Sequence, residues 1–447
     1  MNRSIFLSIM TGMSKLLTEQ KERRDMTKLL LLGTSLISTE IVQTAKDMGC
    51  YVIVTDNLPP ERSYAKLEAD EYWMISTNEI DLLEQKCREE NVNAVFSGVS
   101  EFNLDRVKQL AGRLNLPCYI EDEPWKYARN KQLFKEKCKE IGIPVVDEYT
   151  LSDPPCRDEM NKIEYPVVVK PVDGSGNRGV SICYNEEEML EAYQKARTIS
   201  EKDILVERYI TGEESWNNFY VAENEICCVA RNRAFKQPGY PTFLYSIGVS
   251  AMEDNQEFME QINEKCVKLF RSIGCRNGIA WIQFIRDANG RYYAIEMAHR
   301  MNAGETSTLN EEGQGFNPVR WMLDTALGIE HRAAMIPALR QPPYKKAYCL
   351  YFLFADRPGI VCSMKGFKEL DKNRFLISNV VQEGDHINRY NLISRIAFNA
   401  QNSTDLCDTI RMINEKVRIL DENGENIYIQ YNNIDILSKS VEGLFLS

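Results

Sequence analysis

Lys170 is the first residue in this chain with an evident chemical task. It ends the β-branched run Val167-Val168-Val169, and the chain then passes Pro171 and enters Asp173-Gly174-Ser175-Gly176-Asn177-Arg178-Gly179 before Val180. Glycines let a backbone take positive φ and approach a ligand closely. Successive N–H groups in such a loop form a concave anion site, and a strand lysine beside it adds a point charge suited to phosphate. A Walker P-loop places its lysine after the loop and continues into a helix. Here the lysine precedes the loop and Val180-Ser181-Ile182-Cys183 reads as a second strand, so the expectation is a hairpin flap over a nucleotide triphosphate. An ordinary glycine-rich hairpin is the alternative reading of these residues alone.

A second group lies in the segment 281–300. Asn289-Gly290 is a strong signal for a two-residue type I′ hairpin turn. With that turn, Ala288 faces Arg291, Ile282 pairs with Met297, and Phe284 pairs with Ile295, giving one apolar face. Gln283 then lies opposite Glu296 on the other face, with Cβ atoms about 5 Å apart. Two oxygen-bearing side chains meeting at one point suit a hard cation that also takes phosphate oxygens; a solvated polar pair is the alternative. Arg300, four residues past Glu296, suits anchoring a phosphate or acyl phosphate, or else forms a surface salt bridge. Arg231, Arg233 and Lys236 are candidates to face an acid substrate, against a solvated strand face. His299 could assist an amine's deprotonation, against a packed histidine.

The elements around these residues alternate strands and helices. Lys28–Gly33, Tyr51–Thr55 and Ala94–Phe96 read as strands, and 38–48, 80–90 and 102–114 as helices, which predicts βαβ units and a parallel sheet over residues 26–120. Gly33 and Asp56 imitate a dinucleotide site, but Gly33-Thr34-Ser35-Leu36-Ile37-Ser38 lacks the repeated glycines of that fingerprint. A helix over 130–141 stops at Gly142-Ile143-Pro144. Strands surround the glycine loop over 145–210, and Pro342-Pro343 marks a boundary. In 345–447, Leu406, Ile410, Ile413 and Val417 form one face of a helix capped by Ser403 or Thr404. Residues 1–25 read as an extension before a natural start at Met26.

With 447 residues, the chain has length for several domains. Its net charge of −11 argues against a general nucleic-acid or anionic-membrane surface, without excluding a local phosphate pocket. Thirteen scattered cysteines and three histidines point to reduced thiols in a cytoplasmic protein rather than disulfides or a histidine metal cluster. No apolar run reaches the length of a membrane span.

Together these pieces resemble the ATP-grasp superfamily over about residues 26–335, in the family's order, within its carboxylate–amine ligase branch (similar to L-amino-acid ligases and the carbamoyl-phosphate synthetase large subunit). The resemblance implies an α/β and α+β multidomain fold. Its parts are a Rossmann-like pre-ATP-grasp domain (26–120), a two-lobed ATP-grasp domain (121–335) with a lid subdomain (145–210), and a small α+β C-terminal domain (345–447). The last resembles the corresponding domain of L-amino-acid ligases through Arg357-Pro358-Gly359-Ile360, Gly384-Asp385 and Ser394-Arg395-Ile396-Ala397-Phe398, and looks unlike a biotin carboxylase tail.

The resemblance further implies that Lys131 and Lys170 are the two ATP lysines, and that Gly174, Ser175, Gly176, Gly179 and Val180 belong to the loop closing on the triphosphate. Glu207 would meet the adenine amino group, Arg208, Tyr209 and Ile210 would give backbone contacts, and Glu214 would bind the ribose. Gln283 and Glu296 would bridge Mg²⁺ (Mn²⁺ as alternative), and Arg300 would face the γ-phosphate and the acyl phosphate. Ala298 stands where many members carry an asparagine ligand, and Gln283 is neutral; both lower the ligand charge at a second metal position. A glutamine does occur in the carbamoyl-phosphate synthetase branch. The implied activity joins a small-molecule carboxylate to an amine with ADP release. Bicarbonate activation and non-catalytic ATP binding are the alternatives, with no nucleic acid or membrane partner and a homodimer as the default assembly.

Overall fold

The computed structural model describes residues 27–172, 179–223, 225–240, 244–251, 256–304, 306, 308–331, 335–336 and 346–442. Gly174, Ser175 and Gly176 of the glycine loop, and residues 1–25, lie outside these. The chain divides into two units.

The first unit is built on Lys28–Leu32, whose last four residues are leucines with no exposure. Such an uninterrupted apolar run belongs in a parallel strand covered on both faces. It pairs in parallel with Tyr51–Thr55 and Ala94–Phe96, and Glu71–Trp73 adds the edge. Helices Ser38–Asp47, Ile80–Glu89 and Glu101–Leu114 complete the βαβ pattern. Asp56, the residue that imitates a ribose acceptor, is committed internally. Its carboxylate lies 2.7 Å from the buried Lys66 ammonium and 2.5 Å from the Thr34 hydroxyl. A helix from far along the chain, Pro318–Ala326, also belongs to this unit and packs on Ser38–Asp47 and Ala94–Phe96. It starts at Asn317, whose side chain accepts from the Arg320 N–H, with Pro318 preset for the first turn.

The second unit holds two sheets. The smaller is antiparallel, in the order Glu148–Tyr149, Ile204–Arg208, Val167–Pro171, Ser181–Cys183. Met189, Tyr193 and Ala196 of helix Glu186–Arg197 cover Val167, Val169 and Val206. The larger sheet has eight strands, in the order Tyr292–Ala298, Asn277–Arg286, Glu213–Ala222, Glu225–Lys236, Tyr245–Ala251, Ala347–Phe354, Leu392–Ala400, Phe375–Asn379. Its last three strands come from the segment 345–447. That segment therefore continues the sheet of residues 213–298, with Val249 opposite Cys349. The amphipathic helix there is Ser403–Lys416, and its cap is Asn402, whose side chain accepts from the Asp405 N–H, not Ser403 or Thr404. Leu406, Ile410 and Ile413 are fully buried.

Helices Lys131–Ile141 and Glu264–Ser272 cover one face of the large sheet, enclosing Phe134, Leu269 and Phe270 with Phe219, Ile282 and Phe284. Because side chains alternate across a strand, Trp281, Gln283 and Ile285 point to the opposite face. All thirteen cysteines are free thiols, and burial raises several, Cys87 to about 12. No described helix is long and apolar enough to cross a membrane.

Gly212 joins the two sheets between Ile204–Arg208 and Glu213–Ala222. A Cβ there would sit 2.1 Å from the Arg286 carbonyl oxygen. Gly212→Ala should force the strands apart and lower the unfolding free energy by about 1–3 kcal/mol, as overpacking does; the denaturant midpoint measures this.

Candidate active site

Gln283 and Glu296 face each other as the pairing requires, but by a different route. The turn is longer than type I′. Asp287 accepts Gly290 N–H on its carbonyl (3.0 Å) and donates to the Arg291 carbonyl (3.0 Å), enclosing a three-residue loop of Ala288, Asn289 and Gly290. The Asp287 carboxylate also accepts the N–H groups of Asn289 and Arg291, each at 2.9 Å. An aspartate satisfying two loop amides favours this longer turn, and Gly290 takes the positive φ it needs, +79°. The longer turn displaces the register by one, so Phe284 pairs with Ala294 rather than Ile295. Ile295 is then an extra, bulged residue, after which Gln283 meets Glu296 and Ile282 meets Met297. The bulge turns both Ile295 and Glu296 to the cavity face, where a regular strand would present only one of them.

The cavity has a volume of about 500 Å³. Lys131, Lys170, Val180, Glu207, Arg208, Tyr209, Ile210, Glu214, Gln283, Glu296 and Arg300 all line it. Gly179 has φ +78°, and a Cβ there would come within 3.0 Å of Pro171. Arg231 and Arg233 do not line the cavity; each pairs with Glu213 at 2.5 Å. Lys236 does line it, 2.7 Å from Glu214. His299 is buried with its Nε2 3.0 Å from the Asn277 carbonyl, so it is a packed histidine.

A buried ionic cluster forms one wall. Glu207, 3% exposed, receives Lys170 Nζ at 2.9 Å on one oxygen and Lys135 Nζ on the other. Lys135 also lies 2.6 Å from Glu148. Burial pushes the Glu207 carboxyl up, but Lys170 and Lys135 outweigh it and hold the group below the usual carboxylate range. Burial is the main influence pushing Lys170 below the ordinary lysine range. Lys135 is absent from the sequence-based set, yet it stands one helical turn from Lys131. That i,i+4 spacing puts both on one face of helix Lys131–Ile141 and was the available signal.

Lys131 lies 3.2 Å from Glu296. Gln283 donates its amide N–H to Glu214, leaving its carbonyl oxygen as an acceptor. The donor set at the Gln283–Glu296 pairing is therefore one carboxylate, Glu296, and one amide oxygen, which fits a hard divalent cation that also takes phosphate oxygens. Arg300 lies over Trp281, its guanidinium 5.1 Å from the ring centre. Tyr245 is pushed to about 12 by burial and by the charges of Glu214 and Glu296, so it lines the cavity as a neutral phenol. In a protein of net charge −11, the cavity lining carries five cationic side chains against three anionic ones, a local balance suited to a polyphosphate.

Residues 130–333 match the family model described as carbamoyl-phosphate synthase L chain, ATP binding domain. The 2-oxoglutarate carboxylase small subunit of Hydrogenobacter thermophilus is 25% identical over 333 residues, 67% of this chain and 66% of that protein. The carbamoyl phosphate synthase large chain of Archaeoglobus fulgidus is 30% identical over 217 residues, 46% of this chain and 19% of that one. The chain thus spans less than two-thirds of these curated relatives. Among solved structures, L-amino acid ligase from Bacillus licheniformis aligns with a TM-score of 0.74 at 19% identity, covering 89% of this chain and 99% of that one. The biotin carboxylase domain of Hydrogenobacter thermophilus 2-oxoglutarate carboxylase, in complex with MgADP, ADP and bicarbonate, aligns with a TM-score of 0.74 at 19% identity, covering 94% and 96%. At that identity these structures establish the mixed α/β fold.

Two predictions arise from the buried charges. Lys135→Met leaves Glu148 and half of Glu207 without a cation; it should cost about 3 kcal/mol of stability and weaken binding of an ATP analogue at least tenfold by calorimetry, with Lys135→Arg recovering part of both. Burial lowers His299 from 6.5 to about 4. A depressed histidine contributes full stability above pH 6.5 and loses it as pH falls towards 4, about 3 kcal/mol in all. Denaturant midpoints between pH 7 and 4 should therefore fall less steeply in His299→Gln than in the parent.

Proposed function

We propose that this chain is an ADP-forming ligase of the ATP-grasp superfamily, a reading supported by the match of residues 130–333 to the ATP binding domain of carbamoyl-phosphate synthase L chain. It would join a carboxylate to an amine through an acyl phosphate, releasing ADP and phosphate. The observation that carries the reading is the convergence on one cavity of Lys131 and Lys170, the Glu207 segment and the Gln283–Glu296 pair.

The roles follow from position. Val146, Ile210, Ile285 and Ile295 form an aliphatic end that accepts a nucleobase. Glu207, held ionised by two lysines, accepts a hydrogen bond from an exocyclic amine, and Arg208, Tyr209 and Ile210 offer backbone groups beside it. Glu214 takes the ribose. Lys131 and Lys170 hold phosphate oxygens, and Gly174, Ser175, Gly176, Gly179 and Val180 close over them. Glu296 with the Gln283 carbonyl would hold Mg²⁺ (or Mn²⁺), which neutralises phosphate charge when bound.

One oxygen of the acid attacks the γ-phosphorus, the bond to the β-phosphate oxygen breaks, and ADP leaves. The amine nitrogen then attacks the acyl carbon, the carbon–oxygen bond to phosphate breaks, and the amine's proton leaves with the inorganic phosphate. Arg300 stabilises charge on the phosphoryl oxygens in both steps. Such transfer needs positioning and electrostatics, not a protein nucleophile. Among the described residues lining the cavity there is no serine, cysteine or histidine. Loop closure excludes water that would hydrolyse the acyl phosphate. The substrates are small molecules, and a cytoplasmic homodimer is the working assembly.

Likeness to 2-oxoglutarate carboxylase supports a second reading with bicarbonate as the acid. Ala298 and the neutral Gln283 support a third, ATP binding without turnover. ADP release with Mg²⁺-ATP separates the three. It should require both a carboxylate and an amine, and Lys170→Ala should reduce it at least a hundredfold. Release driven by bicarbonate alone would select the second reading, and binding with no release from any acid the third.

A further inference from the structure

The cavity carries two apolar faces, and a nucleotide has only one apolar end. Ile285 and Ile295 belong to the aliphatic face with Val146 and Ile210. The other face is aromatic. Trp216 stands opposite Gln283 on the neighbouring strand, so Glu296, Gln283 and Trp216 form one row across three strands, with neighbouring Cβ atoms about 5 Å apart. Trp216 is partly buried and lines the cavity, and its ring lies 4.7 Å from that of Tyr245, which also lines it. Tyr245 in turn packs edge-on against Phe352 at 5.0 Å, which fixes the pair against the sheet. Two residues along from Gln283, Trp281 supports the Arg300 guanidinium.

The aromatic face thus adjoins the groups read above as phosphate and metal ligands, on the side of Gln283 away from Glu296. A side chain placed there belongs to the molecule that reacts with the γ-phosphate, since the aliphatic face already receives the base. We infer that the acid substrate is a carboxylate bearing a bulky apolar or aromatic group, its side chain packed on Trp216 and Tyr245 and its carboxylate directed towards Arg300. This rests on the ligase reading. Small acids such as acetate or bicarbonate would leave the aromatic face unfilled, and an acidic side chain would bring its charge beside Glu214, which already engages Lys236, the cation that pairs with Tyr245.

The test is calorimetric binding of four probes, 3-phenylpropionate, L-phenylalanine, acetate and L-aspartate, to the full chain saturated with Mg²⁺ and a non-hydrolysable ATP analogue. An apolar pocket discriminates by about 10- to 200-fold. The two aromatic acids should bind at least tenfold more tightly than acetate and aspartate. Trp216→Ala should remove that preference, and Trp216→Phe should keep most of it, while both variants bind the ATP analogue within about twofold of the parent. Equal or tighter binding of acetate or aspartate, binding of none of the four, or an unchanged ranking in Trp216→Ala would overturn the inference. Failure of the parent protein to bind the ATP analogue would instead overturn the ligase reading beneath it.

Discussion

The site depends on keeping one carboxylate ionised away from water. Glu207 is almost wholly buried, and taking a lone carboxylate out of solvent costs several kcal/mol. Lys135 and Lys170 offset that cost, and they come from different places. Lys135 rises from the helix that packs beneath the large sheet, whereas Lys170 and Glu207 sit on adjacent strands of the small one. Charge neutralisation therefore fixes where that helix meets the small sheet. It also fixes strand register: Glu207 is opposite Val168, two positions from Lys170, so both charges fall on one face. A slip of one residue would put Lys170 and Glu207 on opposite faces.

The same reasoning explains the neutral residue at 283. Its amide donates to Glu214, which Lys236 also approaches. A carboxylate at 283 would present like charge to Glu214 and could donate nothing. Glutamine instead links the acid read as the ribose ligand to the pair opposite Glu296, and keeps an oxygen for a cation. The departure from an all-carboxylate pair is thus compensated within the cavity itself.

Local chemistry made much of this readable from the chain. The valine run before Lys170, the alternation through Trp281, Gln283 and Ile285, and the leucines of the first strand each carry their own geometry in their side chains. What escaped is what long-range packing decides. Lys135 looks like any surface lysine until Glu148 and Glu207 are brought to it. The helix Pro318–Ala326 joins a sheet formed some two hundred residues earlier, and nothing in its amphipathic pattern names the partner. The strands after residue 346 read as a separate domain because pairing partners leave no mark on composition. The hairpin is the instructive case: Asn289-Gly290 signals a tight turn, but the carboxylate of Asp287 outcompetes it.

That hairpin has a bearing on how such a site tolerates change. The three-residue loop adds one residue on one side of the pairing and the bulge at Ile295 absorbs it, so the two irregularities cancel between the turn and Glu296. A two-residue turn with Ala288 opposite Arg291 would need no bulge and would return Ile295 to a regular pair, and Gln283 would still face Glu296, because both arrangements place the same twelve residues between them. Loop length at this hairpin is therefore insulated from the chemistry. The tip can exchange one turn type for the other while the pair read as the cation ligands stays in place.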